Sequence, residues 1–112
     1  MLASEARLRK STDITDVLRN GIRLPSRLLV LHVLLNVGTT SKVAFAVGKS
    51  VGNSAERHQV TRRLRHIMRM ELDRVPTGSH IVVRAFPDAK HATFAQLHEN
   101  VSYALTKLSG KP

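Results

Sequence analysis

Apolar positions along this chain change rhythm several times, and each change marks an element. Ile14, Val17 and Leu18 recur at spacings of three and four, which predicts a short amphipathic helix ending at Asn20. Ser11 or Thr12 is placed to cap it, Asp13 and Asp16 lie near its positive end, and Gly21 terminates it. Past Pro25 the run from Leu28 to Leu35 is aliphatic except for His32, which predicts a strand covered on much of both faces. Gly38-Thr39-Thr40-Ser41 supplies turn chemistry, and Val43 to Val47 reads as the second strand of a hairpin. A further short strand fits around Ile22 to Leu24.

The longest helical rhythm begins after Gly48 and Gly52, which bracket Lys49-Ser50-Val51 and permit a sharp turn. Asn53 followed by Glu56 has the spacing of a capping box, so a helix should start at Ser54 or Ala55 and run to about Val75, before Pro76. Val60, Leu64, Ile67, Met68, Leu72 and Val75 share one stripe, with Glu71 as its charged intruder. His58, Arg62, Arg65, His66 and Arg69 gather on another sector, and Arg57 is expected to project beyond the sheet edge. His80 to Phe86 reads as a further strand, so strand, long helix and strand form a parallel crossover unit. Phe94, Leu97, Val101, Leu105 and Leu108 then repeat at helical spacing and predict a last helix over the core. The pattern predicts one α/β sandwich spanning residues 1–112, with a basic flexible arm at 1–10 and a frayed tail at 109–112.

Charge narrows the partner. The chain carries 18 Lys and Arg against 8 Asp and Glu, a formal net charge of +10, and a field of that sign attracts polyanions, nucleic acid foremost. Twelve of the cations are Arg, whose planar fork suits bidentate contact with phosphate. An acidic membrane surface would call for an apolar interfacial face with aromatic anchors, yet aromatic residues are 4% of the chain. No apolar run approaches the roughly 20 residues of a membrane span. The N-terminus shows no secretory pattern and cysteine is absent, both compatible with a cytoplasmic protein.

Chemistry of the protein's own is hard to assemble from these residues. The carboxylates are scattered, the six His form no metal-binding spacing, and Gly48 and Gly52 do not frame a phosphate loop. No catalytic residue and no metal ligand is expected, and the protein alone is expected to be inactive.

The stretch Lys49-Ser50-Val51-Gly52-Asn53-Ser54-Ala55-Glu56-Arg57 through Arg62-Arg63-Leu64-Arg65 resembles the signature helix of the protein subunit of bacterial ribonuclease P. The likeness extends over nearly the whole chain, from the basic arm Arg7-Leu8-Arg9-Lys10 to the strand at Ile81 to Pro87. It implies an α+β two-layer sandwich like domain 2 of ribosomal protein S5, in the order α-β-β-β-α-β-α, with an unusual left-handed βαβ crossover. It also implies an RNA-binding subunit of an endonuclease whose catalytic RNA, with Mg²⁺, removes the 5′ leader from precursor tRNA. The protein would assist by binding the leader and raising metal-ion affinity.

By position, the resemblance assigns RNA contact to Lys49, Asn53, Arg57, Arg62 and Arg65, and the basic arm and the cationic helix sector add Arg7, Arg9, Lys10, His58 and Arg69 as expected RNA contacts. It assigns a leader cleft to Ile14, Leu18, His32 and Ser50. The chain departs from the family where His58-Gln59 replaces Asn-Arg and Thr61 replaces Lys, and where Ile14, Leu18 and His32 replace aromatic residues. A leader cleft relying more on shape, histidine stacking and phosphate contact is therefore expected. A structural RNA-binding protein of ribosomal type is the alternative reading. A helix-turn-helix DNA binder fits less well, because the apolar stripe commits the long helix to a sheet.

Overall fold

The computed structural model of the chain describes residues 4–109, apart from the side chains of Ser4 and Ser109. Its elements are α1 (Ser11–Asn20), β1 (Ile22–Pro25), β2 (Leu29–Leu34), β3 (Lys42–Ala46), α2 (Ser54–Glu71), β4 (His80–Ala85) and α3 (Phe94–Ser109). The order α-β-β-β-α-β-α and the mixed α+β sandwich agree with the expected fold class, and the short strand at Ile22 is real. Residues 1–3 of the expected arm and 110–112 of the expected tail lie outside the described residues, while Ser109 closes α3 instead of fraying.

The sheet order is β1-β2-β4-β3. β2 pairs antiparallel with β1 and β4, and β3 pairs parallel with β4, as the crossover unit predicts. The expected hairpin of β2 with β3 is not formed. The two strands do run antiparallel, but β4 is inserted between them. The segment joining them passes the start of β4 and bonds to it: Val37 and Gly38 N–H donate to Gly78 O at 3.0 and 3.2 Å, and Lys42 N–H donates to Ser79 O at 2.9 Å. The true hairpin is β1 with β2, where Pro25 falls on an edge strand that tolerates it.

Period-two alternation divides the sheet between two cores. Leu29, Leu31 and Val33 of β2, with Ile81 and Val83 of β4, face α2 and α3 and pack on Val60, Leu64, Ile67, Met68, Leu97, Val101 and Leu105. On the opposite face Val82 packs with Val17 of α1 and with Leu8, flanked by Ile14, Leu34 and Ala44. The stripe on α2 is buried as its spacing predicts, although the α-helix ends at Glu71 and a 3-10 turn, Leu72–Arg74, completes the run to Val75. Glu71 is tolerated on that stripe because its carboxylate meets Arg74 at 3.2 Å and His98 of α3 at 3.4 Å. The stripe on α3 departs from expectation at one end, since Phe94 is 36% exposed.

Two local expectations need correction. Lys10, rather than Ser11 or Thr12, is the N-cap of α1, and no side chain caps it. Arg7 and Leu8 of the expected flexible arm are fixed: Arg7 bridges Val43 in parallel, Leu8 N–H donates to Val43 O at 2.9 Å, and the Leu8 side chain is buried. The reason is that β3 is the sheet edge, so its outer backbone groups are available to pair with the arm.

Gly78 carries the junction that admits β4. Its φ of +87° lies in the left-handed region, and a Cβ there would collide with the carbonyl oxygen of Gly38. Replacing Gly78 with Ala should lower stability by about 1–3 kcal/mol, a strained-backbone cost. Urea or thermal denaturation measures this, and a wild-type midpoint would show that the junction relaxes freely.

Candidate nucleic-acid interface

Helix α2 starts where its sequence predicts, through reciprocal bonds. Glu56 N–H donates to Asn53 Oδ1 at 2.9 Å, and Asn53 N–H donates to Glu56 Oε1 at 2.8 Å. Gly52 is required by close approach and not by its φ, because a Cβ would stand 2.5 Å from Glu56 Oε1. The Asn53 N–H, followed by Lys90 at 3.2 Å, holds the Glu56 carboxyl below its usual range.

With its start fixed, α2 presents His58, Arg62, Arg65 and His66 around one recess on its outer side. Among the described residues no carboxylate pairs with Arg62, Arg65 or Arg69. Arg65 stands 6.0 Å from the centre of the Phe45 ring and also lines a second recess, shared with Arg7, Arg9 and Ile14. The edge of β3 thus joins the basic arm to the basic helix. Lys10 and Lys49 are exposed, at the start of α1 and in the turn before α2. Arg57 is half-buried, and its Nε has no hydrogen-bond partner among the described residues. Arg63 is spent internally, its Nη1 donating to Ala92 O at 2.9 Å.

The residues expected in a leader cleft are only partly brought together. Ile14 is half-buried in the smaller core, Leu18 is 40% exposed on α1, and His32 lies 5% exposed on the same face of the sheet. Ser50 sits in the exposed turn between β3 and α2, at the start of the basic helix rather than on the α1 face.

Sequence reading missed the two arginines on that face. Register places Arg23 of β1 directly opposite His32, and Arg84 of β4 opposite Val30, diagonal to His32. Arg84 was recoverable from alternation, since it shares the face of Val82; Arg23 needed the strand pairing. The Nε2 of His32 is buried without a hydrogen-bond partner among the described residues. Burial first, then Arg84 and Arg23, push its pKa below 6.5 and hold the ring neutral at pH 7.

His32 makes the fold acid-sensitive in a defined direction. The folded state binds fewer protons than the unfolded chain once pH falls below about 6.5, so stability should drop from there toward the lowered folded pKa. In His32→Gln that part of the loss should vanish. Melting temperatures between pH 7.5 and 5 measure it, and parallel profiles for the two proteins would exclude His32 as the source.

Comparison with known proteins accords with this geometry. A family model described as Ribonuclease P matches residues 2–109. A ribonuclease P protein component from Mycobacterium sp. (strain KMS) is 39% identical over 109 residues, covering 96% of this chain and 92% of the relative. One from Streptomyces avermitilis is 40% identical over 121 residues, covering 98% and 97%. The solved RNase P protein from Thermotoga maritima has the same fold, with a TM-score of 0.78 at 23% identity over 90% of this chain and 96% of that one. End-to-end similarity of this kind, added to a sheet-anchored helix with a segregated cationic side, means that the chain belongs to the ribonuclease P protein family.

Proposed function

We propose that α2 seats this subunit on the catalytic RNA of ribonuclease P, while the sheet face beside α1 receives the 5′ leader of precursor tRNA. The observation that carries this reading is the recess of His58, Arg62, Arg65 and His66, which has no acidic partner among the described residues and lies outside the layer anchored by Leu64 and Ile67. Arginine forks there match phosphate geometry, and the arm at Arg7 to Lys10 extends the cationic track along β3. The protein contributes binding and orientation, and the phosphodiester is hydrolysed on the RNA.

On the other face, Arg23 and Arg84 flank a neutral His32, an arrangement suited to a strand whose phosphates meet the arginines and whose base rests near the imidazole. Mg²⁺ is assigned to the RNA. Among the described residues no group of three His, Cys, Asp or Glu could hold a metal ion, so the protein would favour metal binding indirectly, by placing RNA phosphates. No helix among the described residues is long and apolar enough to cross a membrane. The proposed place of action, with precursor tRNA, is the cytoplasm.

Reconstitution with the cognate catalytic RNA tests the whole. The protein should stimulate leader removal at low Mg²⁺, whereas a structural protein of ribosomal type would leave the rate unchanged. Removing Arg62 or Arg65 should lower the slope of log affinity against log salt by about one each. Unchanged slopes in both variants would displace the RNA from this side of α2.

Leader binding has its own readout. Arg84→Ala should weaken binding of precursor tRNA carrying a leader by roughly threefold to tenfold, or about 0.6–1.4 kcal/mol. Binding of mature tRNA should be unaffected. An equal loss for both substrates would remove the leader from this face.

A further inference from the structure

The chain has only three Phe and one Tyr, so an exposed aromatic ring beside the cationic recess stands out. Phe94, the first residue of α3, is 36% exposed although its spacing would place it in the core. Its ring lies between two imidazoles, His66 of α2 with centroids 5.8 Å apart and His98 one turn along α3 at 6.1 Å, both in edge-to-face geometry. His66 also lines the recess with His58, Arg62 and Arg65. Aromatic surface and phosphate-binding surface are therefore continuous, with His66 common to both.

The corner bearing Phe94 is held in place from several sides. Arg63 donates to Ala92 O at 2.9 Å, and Lys90 meets Glu56 at 3.2 Å. Thr93 and Gln96 cap α3 reciprocally, with Thr93 N–H to Gln96 Oε1 at 3.0 Å and Gln96 N–H to Thr93 Oγ1 at 3.1 Å. A ring fixed on two helices loses little freedom when a ligand stacks on it.

We propose that Phe94, with His66 beside it, is a stacking platform for one unpaired nucleobase of the catalytic RNA, whose phosphate lies in the Arg62–Arg65 recess. This rests on the docking of α2 proposed above and adds a base contact to what would otherwise be backbone contact alone. The combination of a cationic groove with an adjacent aromatic ring is the arrangement by which single-stranded RNA is held without reading its sequence. The catalytic RNA is the occupant, because the platform lies on the α2–α3 layer. The face assigned to the leader is on the opposite side of the sheet.

The chain contains no Trp, so Phe94→Trp places a lone tryptophan at the platform, excitable apart from Tyr103. Titration with the cognate catalytic RNA should quench its emission, saturating at the affinity measured for the wild type. Phe94→Leu, shown by circular dichroism to be folded, should bind that RNA roughly fivefold to 100-fold more weakly, with an unchanged salt slope because no charge is removed. Unquenched emission at saturation, or wild-type affinity in Phe94→Leu, would overturn the platform even while the wild-type protein still bound the RNA and stimulated cleavage. Quenching by precursor tRNA but not by the catalytic RNA would overturn the choice of occupant. Failure of the wild type to bind the catalytic RNA would overturn the docking of α2 itself, and the platform with it.

Discussion

The exchange of hydrogen bonds between Asn53 and Glu56 sets the phase of α2, and most of the molecule's chemistry depends on that phase. Each residue advances a helix by about 100°, so a start displaced by one position would turn the cationic side toward the sheet and the Val60–Leu64 side toward solvent. Gly52 is part of the same device, because any side chain there would occupy the space of the Glu56 carboxylate. Glu56 then does a second job through Lys90, drawing the segment before α3 against the first half of α2. One acidic side chain thus orients the basic helix and positions the corner beside it.

A second constraint comes from the sheet. Inserting β4 between β2 and β3 makes β3 an edge, and that edge is what the arm at Arg7 and Leu8 pairs with. The same insertion brings Arg84 diagonally beside His32, while the β1–β2 hairpin brings Arg23 from the other side. Two arginines around a neutral, largely buried histidine give a cationic surface whose central ring stays uncharged at neutral pH. Burial of the imidazole and repulsion by its neighbours act in the same direction, so the arrangement does not depend on a balance of opposing effects.

What could be read from sequence follows the range of the interaction concerned. The stripe of α2, its capping box, the both-sides-buried β2 and the end of α1 at Asn20 all depend on residues a few positions apart, and each was legible. The pairing of β4 between β2 and β3 depends on residues 38 to 56 positions apart, and adjacency in the chain suggested a simpler hairpin. The functional surface divides in the same way. Arg62, Arg65 and His58 share a helix side and were found together, whereas Arg23 needed strand register. Phe94 was assigned to the core because a helical period identifies a side of α3 but not where along its length the neighbouring layer ends.

The distribution of acids explains why a net charge of +10 becomes a directed surface instead of a diffuse one. Carboxylates are used at joints: Glu56 between α2 and the segment before α3, Glu71 between Arg74 and His98, Asp16 against Asn20 within α1. None of these neutralises Arg62, Arg65 or Arg69. Paired charges at the joints contribute modestly to stability, since each is partly exposed and screened. Their larger consequence is positional, because they hold α2 and α3 together while leaving the outer cations to a polyanion. The loss of two family cations at Gln59 and Thr61 is consistent with this division. Thr61 donates to the Arg57 carbonyl at 2.9 Å within α2, which leaves Arg62 and Arg65 as the arginines lining the recess on this side.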